Sequence, residues 1–440
     1  MENFNKVAKR MISAALRAVD PFNLIIEQCR LKDNELVIGR VKRNLTQYRH
    51  IYVLGAGKAS AAMAQALEKL LGERISGGLV IVKYGHARPT QKIKILEAGH
   101  PLPDENTLEA TNQLLQLARA AQKDDLVIFL LSGGGSALLE QLPDGITLKD
   151  LQKLNQLLLG CGANIEEINA VRKHVSLVKG GQLAKQIYPA ELVSLILSDV
   201  IGDPLAGIAS GPTAPDDSTF EGAWRIVLKY RLSEKLPHSI QQRLERGKGG
   251  QIPETPKAND SVFKKVSNII LGNNLLALKK ARETAQQSGF NALILTDRAQ
   301  GEVAEISKLL AAIFERNFSE QELTRSPGCI LLGGEPTVTL RGNGLGGRNQ
   351  EMALQMLLHL QKVERPFYFC SVGTDGTDGP TDAAGAWIDH RSFQKARSKK
   401  LDIEAYLQKN DSYHFFAKLD QLIKTGPTGT NVMDIMILLF

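Results

Sequence analysis

The chain has 440 residues, 43% apolar and 23% charged, which suits two or three folded domains and excludes a disordered or disulfide-stapled protein. Its 54 basic and 47 acidic residues leave a net charge of +7, yet the cations are scattered and aromatics reach only 5%. That pattern argues against a nucleic-acid binder, which needs basic stripes and stacking platforms, and favours a positive site for small anions.

The four cysteines, Cys29, Cys161, Cys329 and Cys370, are far apart in sequence and read as reduced thiols of a cytoplasmic protein. The longest apolar runs, LVIFLL at Leu126–Leu131 and IMILLF at 435–440, are of strand length. A spanning helix needs about 20 apolar residues, so no membrane segment is expected. The first 25 residues lack a secretory apolar core. Val7, Met11, Ala14, Ala15 and Val19 instead mark one face of an amphipathic helix packed on the body.

From there a short β-rich run, a glycine turn and a longer helical run recur along the chain, which predicts mostly parallel sheets covered by helices. Strands are expected at 51–54, 79–83, 93–97, 126–131, 192–197, 268–271, 291–295, 330–332, 337–340 and 367–371. Helices are expected at 59–71, 105–121, 148–159, 274–288, 302–316 and 350–361. Residues 247–261, GKGGQIPETPKANDS, have no apolar period and read as an interdomain linker. The closing apolar run would be costly in water and so reads as a buried strand, one that could return to the first domain.

Five motifs sit at the turns of this pattern. After the first strand comes Gly55-Ala56-Gly57-Lys58-Ala59, where bare backbone and a mobile cation suit an anion at a helix start. It is neither a GxxxxGK[ST] loop nor a GxGxxG fingerprint, since position 60 is serine. Next is Ser132-Gly133-Gly134-Gly135-Ser136. Three successive glycines after a buried strand are entropically expensive, and make sense if backbone wraps phosphates with the two serine hydroxyls helping. The third, SDVIGDP, places Asp199 at a strand's carboxyl end, where it could bind a metal or accept a proton.

The fourth motif runs from Gly333-Gly334-Glu335 to Gly346-Gly347-Arg348-Asn349. It offers a helix start, a bidentate cation in Arg348 and an acid in Glu335. In the fifth, GTDGTDGPTD, Thr374, Asp375 and Asp378 resemble an oxygen-ligand metal loop without being an EF-hand. His100, in AGHPLPD, fits no zinc motif or triad and reads better as a structural histidine than as a ligand.

Taken together and in this order, the motifs resemble the class II glycerate kinases, the glycerate 2-kinase family with a C-terminal MOFRL domain. The matching stretches include VLGAGKAS, AGHPLPDENT, LLSGGGSALL, INAVRKHVSLVKGGQLA, LSDVIGDPLAGIASGPTAPD, GGEPTVTLRGNGLGGRNQE, GTDGTDGPTDAAGAWID and TGPTGTNVMD. The resemblance implies an α/β protein of two domains. These are a larger Rossmann-like parallel-sheet domain, residues 1–255, and a smaller α/β MOFRL domain, residues 256–440. It also implies an interdomain active site that phosphorylates D-glycerate to 2-phosphoglycerate with ATP and Mg²⁺, with Lys58 and Arg348 central. Asp199 joins them as a catalytic candidate. Gly55, Gly57, Ser132, Gly133, Gly134, Gly135, Ser136, Glu335, Gly346, Gly347, Asn349 and Thr374 are the expected substrate and nucleotide contacts. Asp199, Asp375 and Asp378 are the expected metal ligands.

The expected partners are therefore glycerate and a nucleotide, with no nucleic acid or membrane, and the chain is a monomer or a homodimer. Two other readings exist: a nicotinamide-dependent hydroxypyruvate reductase, a name some relatives carry, and a non-catalytic nucleotide or sugar-acid binder. The first lacks a clean dinucleotide fingerprint. The second could dispense with Lys58, Arg348 and the acids.

Overall fold

The computed structural model describes residues 3–321 and 323–440, which divide into two compact units. The first comprises residues 21–198 and 203–271; the second gathers 1–20, 199–202 and 272–440.

The first unit opens with a small antiparallel sheet of β1 (Cys29–Lys32), β2 (Glu35–Ile38) and β3 (Val41–Asn44). Six further strands follow: β4 (Ile51–Ala56), β5 (Gly77–Lys83), β6 (Ile93–Ala98), β7 (Leu126–Leu131), β8 (Glu191–Leu197) and β9 (Val266–Gly272). They form one sheet in the order β6-β5-β4-β7-β8-β9, paired in parallel from β6 through β8. All six residues of β7 are buried, as expected of a central parallel strand covered on both faces. The covering helices begin at caps visible in sequence. Asp104 and Thr147 each close a capping box, for the helices Glu105–Ala120 and Leu148–Gly160.

The second unit carries β10 (Asn291–Ala299), β11 (Gly328–Gly334), β12 (Tyr368–Gly373), β13 (Gly385–Asp389), β14 (Leu422–Ile423) and β15 (Asp434–Leu439). Their order is β10-β11-β15-β12-β13-β14. Only β10 and β11 pair in parallel; the other contacts are antiparallel. The register is decisive, because Asp434 lies opposite Gly334 on one side and Gly373 on the other. The start of β15 thus stands level with the carboxyl ends of both neighbours. Beneath them a core forms around Phe314, Met352, Leu357, Phe369, Phe415 and Leu438.

Several expectations need correction. The division falls at 20/21 and 271/272, where 255/256 was expected, and the N-terminal helix Phe4–Ala18 belongs to the second unit. It packs on the helix Asn274–Gln287, and Arg10 Nη2 donates to Ser288 Oγ at 2.9 Å. The closing strand does not return to the first unit but fills the middle of the second sheet, where its six apolar-rich residues are all buried.

Residues 247–261 are not a linker. They lie inside the first unit, where buried Asp216 holds them: its amide donates to the Pro256 carbonyl at 3.0 Å, and its Oδ2 accepts from Thr255 Oγ1 at 2.8 Å. Residues 337–340 do not form a strand; Thr337 makes an isolated bridge to Glu302. Among the described residues, no helix is long and apolar enough to cross a membrane. The four cysteines are free.

Candidate active site

In the first unit, the turns after β4 and β7 are bound to each other. The Lys58 amide donates to the Gly133 carbonyl at 2.9 Å, and the Ala59 amide donates to Ser132 Oγ at 3.0 Å. Gly57 has φ +141°, and a Cβ there would lie 2.2 Å from Ser132 Oγ, so only glycine fits. Ser132 is therefore a buried pin between the two turns, also 3.0 Å from Ser60 Oγ, and not the ligand-facing hydroxyl expected. Gly55 is likewise spent on packing, with Leu130 O 2.6 Å from where its Cβ would be.

The pinned turns place the Lys58 side chain, half-buried, across the bare Gly134. A Cβ at Gly134 would meet Lys58 Cε at 3.2 Å and the His100 ring at 2.9 Å. Gly134, at φ +84°, precedes the short helix Gly135–Leu138. Ser136 Oγ lies 2.8 Å from Ser210 Oγ, which donates to Asn169 Oδ1 at 3.0 Å. Ser210 belongs to a run of three left-handed residues, Ala209, Ser210 and Gly211, at φ 49°, 61° and 63°. Two of these are not glycine, and such strain concentrates at ligand sites. The Gly180 and Gly181 amides pin the run by donating to the carbonyls of Ser210 and Gly211.

Lys58, Lys83 and His86 surround His100. Burial first, then these neighbours, push its imidazole down to about 4. This corner of the unit is thus positive and holds a neutral histidine. Asp199 follows β8 by two residues and is partly exposed.

In the second unit the register of β15 gathers a different cluster. Arg348 Nε and Nη2 donate to the two oxygens of Asp434 at 2.6 and 3.1 Å, and Arg348 Nη1 stands 3.0 Å from Glu335 Oε1. Burial alone would lower the Arg348 guanidinium, but Asp434 and Glu335 outweigh it and hold the group above its usual value. Asp434 is fully buried; burial pushes its carboxyl up to about 6 against the pull of Arg348. Asp434 was not singled out in the sequence. The available signal was a lone acid heading an otherwise apolar strand.

Other expected contacts turn inward. Asn349 Nδ2 donates to Asp434 at 3.0 Å, and its Oδ1 accepts from Ser371 Oγ at 2.6 Å. Thr374 Oγ1 donates to the Met433 carbonyl at 2.6 Å. Asp378, expected among the metal ligands, accepts the first amides of the helix Arg348–His359, those of Asn349 at 3.0 Å and Gln350 at 2.8 Å. A Cβ on Gly346 would meet Ser412 Oγ at 2.3 Å, and one on Gly347 would meet Asp378 Oδ1 at 2.3 Å, so both glycines answer to packing. Asp375 Oδ1 accepts from the Thr377 amide at 3.0 Å in a local turn. Among the described residues, no three His, Cys, Asp or Glu side chains gather into a metal site.

Residues 7–245 match the model of the domain of unknown function DUF4147, and residues 328–434, ending on Asp434, match the MOFRL family. The chain is 41% identical over 443 residues to a D-glycerate 2-kinase of Thermotoga maritima, covering 99% of this chain and 98% of that one. It is 38% identical to a glycerate 2-kinase of Pyrococcus horikoshii, covering 99% and 97%. A crystal structure of glycerate kinase from Thermotoga maritima superposes with a TM-score of 0.88 at 39% identity, covering all of both chains. With a DUF4147 domain followed by a MOFRL domain and this likeness along its whole length, the chain belongs to the glycerate 2-kinase family and is an enzyme that phosphorylates glycerate.

Proposed function

We propose that the phosphoryl donor is ATP, the acceptor is the 2-hydroxyl of D-glycerate, and groups of both units serve one reaction in the cytoplasm. The observation that carries this reading is Lys58 lying across bare Gly134. A cation over backbone that carries no side chain suits a phosphate oxygen, and phosphoryl transfer asks the protein mainly to position groups and stabilise charge. Arg348 supplies the second cation. Its fork is oriented by Asp434, and the exposed Glu335 is the partner an incoming anion would displace. Asp199 is the remaining candidate acid.

Among the described residues, the carboxylates do not form a protein cage for Mg²⁺. We therefore assign that ion to the phosphates of the nucleotide, since Mg²⁺ is commonly held by one or two carboxylates plus substrate oxygens. The test is ADP release with D-glycerate against a panel of hydroxy acids, with NADH oxidation by hydroxypyruvate as the control arm. ADP release that depends on D-glycerate supports the reading. NADH oxidation without ADP release would establish the reductase instead.

A further inference from the structure

His100 stands two residues beyond β6, in the first unit. A Cβ on Gly134 would lie 2.9 Å from its Cδ2, 3.0 Å from its Nε2 and 3.2 Å from Lys58 Cε. The ends of three strands, β4, β6 and β7, thus deliver a cation, an imidazole and bare backbone to one point. The other partly buried histidines of this unit are engaged. His50 Nδ1 lies 3.0 Å from Asp125, His86 Nδ1 lies 3.1 Å from the Lys58 carbonyl, and His174 bonds the Ala170 carbonyl and Glu254. Among the described residues, no protein group hydrogen-bonds either ring nitrogen of His100, although the ring is partly buried. Its ring nitrogens are thus left open to a ligand or to water.

Resting on the kinase reading, we propose that His100 is a catalytic residue that accepts the proton of the glycerate hydroxyl during phosphoryl transfer. The hydroxyl oxygen forms a bond to the terminal phosphorus as the bond from phosphorus to the bridging oxygen breaks. The electron pair leaves with the nucleoside diphosphate. The proton passes to a ring nitrogen and then to water.

The surroundings suit this role. Burial, with Lys58, Lys83 and His86 beside it, keeps the ring neutral and its lone pair available, and favours prompt release of the proton. A weak base suffices, because in a loose transition state the hydroxyl proton is taken late. Lys58 meanwhile draws the anionic groups to the same point.

The experiment compares His100→Gln and His100→Ala with the wild type by ADP release and thermal melting, with imidazole added in a parallel series. Glutamine keeps a hydrogen-bonding group but cannot take up a proton. The expected result is a kcat lower by about 10²-fold or more with KM little changed, and partial rescue of the alanine variant by imidazole. A kcat within tenfold of wild type in the glutamine variant, or a loss in the alanine variant that imidazole leaves untouched, overturns the proposal. Absence of glycerate-dependent ADP release in the wild type would instead sink the kinase reading on which it rests.

Discussion

Asp434 grips Arg348 along one edge of the guanidinium, with Oδ2 accepting from Nε at 2.6 Å and Oδ1 from Nη2 at 3.1 Å. The pair is made by register, since Asp434 begins a strand between the two whose ends lead to Glu335 and Thr374. Removing one partner of a buried pair leaves the other unmatched, at roughly 3–5 kcal/mol. About a third of the Arg348 side chain still meets solvent, which places Asp434→Ala at the low end of that range. Urea denaturation checks this, and a variant as stable as wild type would show that the pair does not hold the loops.

Lys58→Ala and Arg348→Ala should each lower kcat by about 10²–10³ if they stabilise charge in the transition state. Arg348→Lys should fail as well, because a point charge cannot replace a fork held on one edge by Asp434. Losses below about tenfold in both alanine variants, with normal melting, would remove these residues from the chemistry, given the size expected for such groups.

Gly134→Ala would push a methyl to 2.9 Å from the His100 ring at a backbone φ of +84°. Both effects fall on the turn that seats Lys58. The expected outcome is a folded protein with strongly reduced turnover and a raised nucleotide KM. Wild-type kinetics in this variant would mean the turn is not part of the site.

Asp378 accepts the first amides of the helix Arg348–His359, and we assign it that structural role. Asp378→Ala should therefore cost stability, about 0.5–2 kcal/mol, and leave the Mg²⁺ concentration for half activity unchanged. A raised Mg²⁺ requirement would return Asp378 to the metal set.

The depressed His100 also has a stability signature. Its imidazole titrates near 4 when folded and near 6.5 when unfolded. Between those values the unfolded chain binds the extra proton, so stability falls as pH drops from about 6.5 towards 4. In His100→Gln that part of the profile should be flatter. Parallel melting curves of the two proteins across this window would contradict the assigned titration.

Much of this was legible in the chain. Periodicity located β4 to β8, and the glycine turns marked Lys58 and Arg348 as the two cations. What sequence could not show was which polar groups would find partners. Ser132, Asn349, Thr374 and Asp378 look like ligands in a motif, yet each is consumed by internal bonds. His100 looked structural and lacks such a bond. Those outcomes depend on contacts between residues 29 to 85 positions apart, to which local pattern is blind. The sheet order was equally hidden, because nothing in the apolar run at 435–440 says which two strands will flank it.

That central strand has a consequence for synthesis. β11 and β12 are made before β15, and neither pairs with the other in the finished sheet. Until β15 arrives, each offers an unpaired edge of buried residues to whatever strand comes near. Such edges recruit other chains readily. The nascent second unit therefore passes through an interval of aggregation risk, and that interval closes when Asp434–Leu439 inserts.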